Sequence, residues 1–291
     1  MIPVVDLLVG GMASGLVYVL LAAGLILVLS VSRVFLIAYG QLYMVGAYTA
    51  YAAVSWWKLP FVVALPLAML VVAAVGMLCY AAVFRFAERA QRQFLATIVA
   101  AAGLMIILNH AVLTIFGASP RTVPTVIRGS VNLLGTTLPN EKLAIIGASV
   151  VVTLALFLVY RRTRLGRAMR AVSVSPDVAA LHGIVVSRIH LVTMGVSGAL
   201  AGFAGAMLAP VYGVTTEMGN EVFLTIMLVA MLGGMDSLVG AVLGGLVVGV
   251  TSALGQYLLP SYSQIILYAV IGIIILVRPG GLVGRTSSVE V

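Results

Sequence analysis

Apolar residues along this chain come in long continuous runs. They show neither the period-2 alternation of half-buried strands nor the one-sided 3.6-residue stripe of a surface helix. Nine runs stand out, at roughly 7–30, 34–56, 60–84, 94–117, 142–160, 189–211, 221–235, 238–257 and 261–278. A hydrocarbon layer about 30 Å thick is crossed by a helix of about 20 residues, and most of the runs approach that length. Inside lipid every backbone N–H and C=O must be paired within the protein, which only helices and closed barrels achieve. Continuous runs select helices, because barrel strands alternate. The pattern predicts an all-α, polytopic helical membrane bundle of eight or nine transmembrane segments. It forms a single domain over 1–291 with a cytoplasmic loop at 161–188. The run 221–235 is short for a crossing and reads as a half-helix ending inside the membrane.

Composition agrees. Hydrophobic residues make up 63% of the chain and charged ones 8%, with a mean hydropathy of +1.22; a soluble domain carries about 25% charged residues. The net charge of +8 does not mark a nucleic-acid surface, because no basic stretch is interleaved with stacking aromatics. Twelve of the sixteen Lys and Arg instead fall on one set of loops and termini: Arg33; Arg85, Arg89 and Arg92; Arg161, Arg162, Arg164, Arg167, Arg170 and Arg188; Arg278 and Arg285. The positive-inside rule places these in the cytoplasm. Loop 118–141, Glu217 and Glu221 are then external, and Trp56 and Trp57 fit an outer aromatic belt. No Lys or Arg precedes the first run, which is longer than a signal-peptide core, so it reads as a permanent helix. The one cysteine, Cys79, excludes an intrachain disulfide or thiolate metal site and reads as a small packed residue.

Glycines spaced four apart (Gly198 and Gly202, Gly240 and Gly244, Gly245 and Gly249) predict close helix–helix approach. Val34-Phe35-Leu36 and Gly46 are echoed by Val222-Phe223-Leu224 and Gly234, a faint repeat that pairs the second and seventh runs. No phosphate-binding G-x-x-x-x-G-K-[ST] loop, H-E-x-x-H or G-x-S-x-G motif is present. His110, His182 and His190 are scattered, so neither a catalytic constellation nor a metal site is expected. Polar residues within the apolar runs must face a partner or a watery cavity. Tyr39 and Gln41 flank Gly40, Asn109 and His110 sit within the fourth run, and Gly233, Gly234 and Asp236 lie at the end of the seventh. Tyr39, Gly40, Gln41, Asn109, Gly233, Gly234 and Asp236 are the candidate path residues, with helix–helix hydrogen bonding as the alternative role.

The stretch RRTRLGRAMRAVSVSPDVAALHGIVVSRIH at 161–190 carries the clearest local signal. Ser175 is placed to cap a helix that starts with Pro176. Asp177 suits the positive end of the helix dipole, and Gly183 can end the helix in a left-handed conformation. One short helix flanked by arginines is expected, either as a solvated topogenic loop or as a docking helix.

The run GRAMRAVSVSPDVAALHGI at 166–184 resembles the cytoplasmic loop of branched-chain amino acid ABC importer permeases. GLVYVLLAAGLILVLSVSRVF…YGQLYMVGAY near the N-terminus, LGGMDSLVGAVLGGLVVG and the terminal LVRPGGLVG agree with that family in order and spacing. The resemblance implies a non-catalytic membrane subunit of a prokaryotic importer, in the cytoplasmic (inner) membrane, moving a solute by alternating access. It implies two cytoplasmic ATPase subunits that carry ATP and magnesium, with no cofactor on this chain. A second homologous or identical permease and a periplasmic or extracellular solute-binding protein complete the assembly. Arg167, Arg170, Ser175, Pro176, Asp177, Ala179, Ala180, Leu181 and Gly183 would form the coupling segment. The implied cargo is a branched-chain or hydrophobic amino acid; a sugar, urea, an amide or an organic carboxylate is the alternative. A stand-alone secondary transporter or channel is a further alternative, with Asp236 its one embedded carboxylate. Two motifs depart from the family pattern. The usual N-F-A-H-G-E reads Leu36-Ile37-Ala38-Tyr39-Gly40-Gln41, and the usual L-G-G-x-G-S reads Leu232-Gly233-Gly234-Met235-Asp236-Ser237.

Overall fold

A computed structural model describes residues 2–88, 90–124, 129–133, 136–235, 237–277 and 281–282. All nine apolar runs are helical. In order the elements are α1 (Ile2–Ser32), α2 (Tyr39–Ser55), α3 (Phe61–Cys79), a π-helical turn (Tyr80–Phe84), α4 (Arg85–Ala87) and α5 (Gln93–Phe116). Strands β1 (Ser130–Leu133) and β2 (Thr136–Pro139) follow, then α6 (Asn140–Arg162), α7 (Arg164–Val174), α8 (Pro176–Leu181), α9 (Val186–Tyr212), α10 (Met218–Gly233), α11 (Leu238–Leu258) and α12 (Ser263–Val277). The strands pair antiparallel, Ser130 with Pro139 and Leu133 with Thr136, a small hairpin that the apolar pattern did not signal.

Among the described residues six helices are long and apolar enough to cross a membrane: Asp6–Ser32, Phe61–Ala87, Gln93–Phe116, Asn140–Arg162, Val186–Tyr212 and Leu238–Leu258. Helices α2, α10 and α12 have 17, 16 and 15 residues. At 1.5 Å per residue α2 and α10 reach only about 25 Å. The second apolar run thus turns helical five residues later than its hydropathy suggested. Arg33 takes a positive φ of 51° just after α1, and the backbone stays irregular until Tyr39.

The chain gathers into two compact units, one of residues 1–26, 127–150 and 224–291, the other of 27–126 and 151–223. In the second unit α2, α3 and α9 pack through small residues. A Cβ on Gly46 would lie 2.6 Å from Gly202 Cα, and one on Gly198 would lie 2.6 Å from the Val72 carbonyl oxygen. Gly76 faces Met194, Gly198 faces Val72 and Gly202 faces Ala68, so α3 and α9 run antiparallel. Ala50, Ala68 and Ala206 fill the space between the three helices. Lipid supplies no hydrophobic drive for helices to associate, and close backbone approach with dispersion contacts takes its place.

In the first unit α1 and α11 meet in the same way, Gly11 against Gly249 and Ala253, and Gly15 against Gly245. The end of α10 abuts the start of α11, Gly233 on Gly240 and Gly244 on Val229. Ser237 caps α11, its Oγ accepting from the Gly240 amide at 3.0 Å. Lys142 Nζ pairs with Asp6 Oδ1 at 2.8 Å. The three Gly-x-x-x-Gly pairs are thus all contact surfaces. Asp236, Arg89, Arg278 and Arg285, with most of the terminal LVRPGGLVG motif, lie outside the described residues.

Candidate coupling segment and intramembrane polar contacts

The arginine-rich loop holds two helices where the sequence suggested one. Helix α7 starts at a Thr163 cap, whose Oγ1 accepts from the Gly166 amide at 3.1 Å. Met169 and Val172 turn inward and cluster with Val31 and Ala179, with Tyr160, Leu165, Ile184 and Ile189 packed around them. Leu165, Met169 and Val172 fall at i, i+4 and i+7, a helical stripe masked in the sequence by the arginines between them. Gly166 is needed at the α6–α7 corner, because a Cβ there would collide with the Tyr160 carbonyl. Arg170 donates from Nη1 to the Tyr160 carbonyl, and its guanidinium lies 5.2 Å from the centre of the Tyr160 ring. This closes the C-terminal end of α6, where exposed carbonyls favour a cation. Arg167 stays exposed.

Helix α8 begins as its sequence dictates. Ser175 Oγ accepts from the Val178 amide at 3.4 Å, Pro176 occupies the first turn, and Asp177 stands beside it at the positive end. Gly183 takes φ of +80° just past the helix end, and its amide donates to the Ala180 carbonyl at 2.9 Å. Ala179 is buried in the cluster with Val31 and Val172. The opposite face is open and apolar, with Val174 80%, Val178 53% and Leu181 85% exposed, and Ala180 and His182 beside them. A groove of about 400 Å³ lies between α7 and α8, lined by Ala171, Val174, Ser175, Val178, Ala179 and His182 with Ile184.

Four of the candidate path residues converge within the second unit. Gln41 Nε2 donates to Asn220 Oδ1 at 2.8 Å, and Asn220 Nδ2 donates to Glu217 Oε2 at 3.0 Å. Asn109 Nδ2 donates to the Thr216 carbonyl at 2.8 Å. Gly40 sits backbone to backbone with Gly219, where a Cβ on either would meet the other's carbonyl oxygen. Tyr39 donates to the Ser197 carbonyl at 3.2 Å and is fully buried. Gln41 is 1% exposed, and among the described residues its Oε1 has no hydrogen-bond partner. The first turns of two short helices, α2 and α10, therefore meet at Gly40–Gln41 and Gly219–Asn220. The sequence echo pairs these same two segments, but at an offset of 188, whereas the structure pairs them at 179. Gly233 and Gly234 belong to the other compact unit, where Gly233 packs on Gly240 and Gly234 takes φ of +98°. His110 is exposed on α5, its Nδ1 3.0 Å from the Ile106 carbonyl oxygen.

One polar cluster was missed in the sequence. Glu88 Oε1 lies 3.0 Å from His190 Nδ1, and Glu88 Oε2 accepts from the Tyr80 hydroxyl at 3.0 Å. The cluster joins the π-helical turn and the residue just after α4 to the first turn of α9, which follows α8. The signal available was a lone acid among Arg85, Arg89 and Arg92.

This geometry is that of a helical membrane protein with a structured loop presenting an apolar face. The family model described as "Branched-chain amino acid transport system / permease component" matches residues 7–277. The high-affinity branched-chain amino acid transport system permease protein BraD of Pseudomonas aeruginosa is 30% identical over 96% of this chain and 95% of its own length. LivH of Escherichia coli, a permease protein of such a system, is 29% identical over 94% of each chain. LivM of Escherichia coli, also a permease protein of that kind, is 27% identical over 93% of this chain and 68% of LivM. A solved structure of PsaBC from Streptococcus pneumoniae in complex with Fab has a similar fold, with a TM-score of 0.50 at 13% identity over 94% of this chain and 89% of that one. With the family model covering nearly all of its helices and a 30% identical relative aligned end to end, this multi-pass membrane protein belongs to the permease-component family of branched-chain amino acid transport systems.

Proposed function

We propose that the chain is the permease of an ATP-driven importer and carries a branched-chain or similarly hydrophobic amino acid across a prokaryotic cytoplasmic membrane. The observation that carries this is the likeness to BraD and LivH over more than nine-tenths of each chain. It works with two ATPase subunits, on which ATP and magnesium reside, and a solute-binding protein delivers the cargo from outside. Two permease proteins of Escherichia coli, LivH and LivM, both align with this chain, which supports pairing with a second, related permease.

Helix α8 is the coupling element. A basic cytoplasmic loop has no reason to expose Val174, Val178 and Leu181 to water, since apolar surface of that kind marks a contact site. An ATPase cleft that receives α8 closes when ATP binds and pulls on it. Ala179 ties α8 to Val31 at the end of α1, and Ile184 ties it to the start of α9, so the pull reaches two membrane helices. ATP then biases a two-state equilibrium between outward and inward openings through its differential affinity for the two. Arg170 holds the segment to α6, while Arg167, Ala180 and Leu181 face the partner.

The test is affinity capture of the chain from its native membrane, followed by mass spectrometry and by uptake of labelled leucine into vesicles rebuilt from the captured material. Recovery of ATPase subunits, with uptake that requires ATP, is expected. A chain that comes down alone and moves solute without ATP overturns the importer reading.

A further inference from the structure

Where the membrane span Phe61–Ala87 ends and α9 begins, a cavity of about 180 Å³ opens between Tyr80, Ala81, Arg85, Ser187, Arg188 and Leu191. Arg85 and Arg188 are exposed, and among the described residues neither has a carboxylate at ion-pairing distance. The nearest acid in sequence to Arg85, Glu88, is taken by His190 and Tyr80. Two guanidiniums of like sign therefore share one concavity with no carboxylate among the described residues paired to either, an arrangement that favours entry of an anion. Ser187 adds a hydroxyl. The helix cap at Val185 makes no side-chain hydrogen bond, so the α9 dipole adds to the positive field.

The rest of the cavity is apolar, and the span that carries Arg85 also exposes apolar side chains. Leu78 and Phe86 are 66% and 64% exposed on the same span as Arg85. A free phosphate needs no such surface, whereas a phospholipid uses both parts: a phosphate between the guanidiniums and acyl chains along Leu78 and Ala81. Basic pockets at the cytoplasmic ends of membrane helices suit anionic headgroups on these grounds.

We propose that this cavity binds the headgroup of an anionic phospholipid of the inner leaflet, with Arg85 and Arg188 on its phosphate and Ser187 as a further donor. The bound lipid bridges the end of the α3 span and the start of α9, the helix that follows α8. The inference does not depend on which solute the permease carries.

Native mass spectrometry of the full-length protein in mild detergent tests it, with phosphatidylglycerol and phosphatidylcholine supplied in equal amounts. Phosphatidylglycerol is expected to stay bound in preference to phosphatidylcholine. Its retention should weaken roughly tenfold or more in Arg85→Gln/Arg188→Gln and survive in Arg161→Gln/Arg162→Gln, whose arginines are exposed outside the cavity. Thermal unfolding in phosphatidylcholine alone should be unchanged in both variants, which separates lost binding from lost folding. Equal retention in wild type and the Arg85/Arg188 variant overturns the site. So does displacement of the lipid by millimolar inorganic phosphate, which would make the ligand a soluble anion. Loss of co-purifying ATPase from that variant without any change in lipid retention assigns the arginines to a protein contact instead.

Discussion

At the residue scale, the glycines separate into those that hold helices together and those that do not. Gly46 is pressed against Gly202, with 2.6 Å left for a Cβ to reach the neighbouring Cα, whereas Gly103 on α5 has nothing within 4 Å. Overpacking a close-packed contact costs about 1–3 kcal/mol, and an unobstructed surface change usually stays within about 0.5 kcal/mol. Gly46→Leu is therefore expected to lower the thermal unfolding midpoint in detergent by several degrees, and Gly103→Leu to leave it in place. Equal midpoints would mean that the α2–α9 contact is not the close one described. The Gln41–Asn220 hydrogen bond makes a second case. Gln41→Leu takes the donor away from the half-buried Asn220 oxygen, at a cost on the order of 1 kcal/mol. Gln41→Leu/Asn220→Leu removes both ends and should recover part of that loss, which a thermal-unfolding double-mutant cycle measures. Sequence alone left Gln41 open between lining a path and bonding another helix. Hydropathy identifies a polar residue in an apolar run, but its partner lay 179 positions away.

At the element scale, the legible features were those with local causes. Helix α8 could be placed because a cap, an N-terminal proline and a terminal glycine sit at fixed offsets within 175–183. Helix α7 was missed because its core-facing stripe is only three residues deep and is interrupted by Arg167 and Arg170, which read with Arg164 as a topogenic charge cluster. The role of Arg170 on the Tyr160 carbonyl needed the fold, since nothing in a charge cluster says which arginine turns back on its own helix. The open face of α8 yields a prediction at this scale. Leu181→Glu places a carboxylate on the exposed apolar face without touching the buried Ala179 cluster. ATPase co-purification should fall at least tenfold, with thermal unfolding unchanged. Ala179→Glu should instead unfold the loop, because it forces an unpaired charge into that cluster. Ala180 is exposed like Leu181, so Ala180→Glu should follow Leu181→Glu. Gly183→Trp is a poorer probe, as its φ of +80° strains any side chain before docking is tested.

At the scale of the whole molecule, the sequence reading left open whether the short run near 221–235 changes the number of crossings. Within the second unit the contacts order the helix ends. Asn109, seven residues before the end of α5, holds the Thr216 carbonyl. Seven helical residues are about 10 Å, so residues 213–217 turn back from the end of α9 and descend before α10 starts. The irregular residues 33–38 lead in the same unit into the 17-residue α2. Loops 56–60 and 117–120 then fall on one side and α7–α8 on the other. Cysteine labelling on a Cys79→Ala background measures this. Trp57→Cys and Ser119→Cys, both at exposed positions, should react with a membrane-impermeant maleimide added to intact cells. Leu181→Cys should react only after the membrane is permeabilised. Labelling of all three in intact cells would place α8 outside, beyond the reach of any cytoplasmic ATPase, and remove the coupling role with it. The expected split would fix the orientation of α9 and give the α8 face its cytoplasmic address, because α3 and α9 are held antiparallel by contacts too close to reverse.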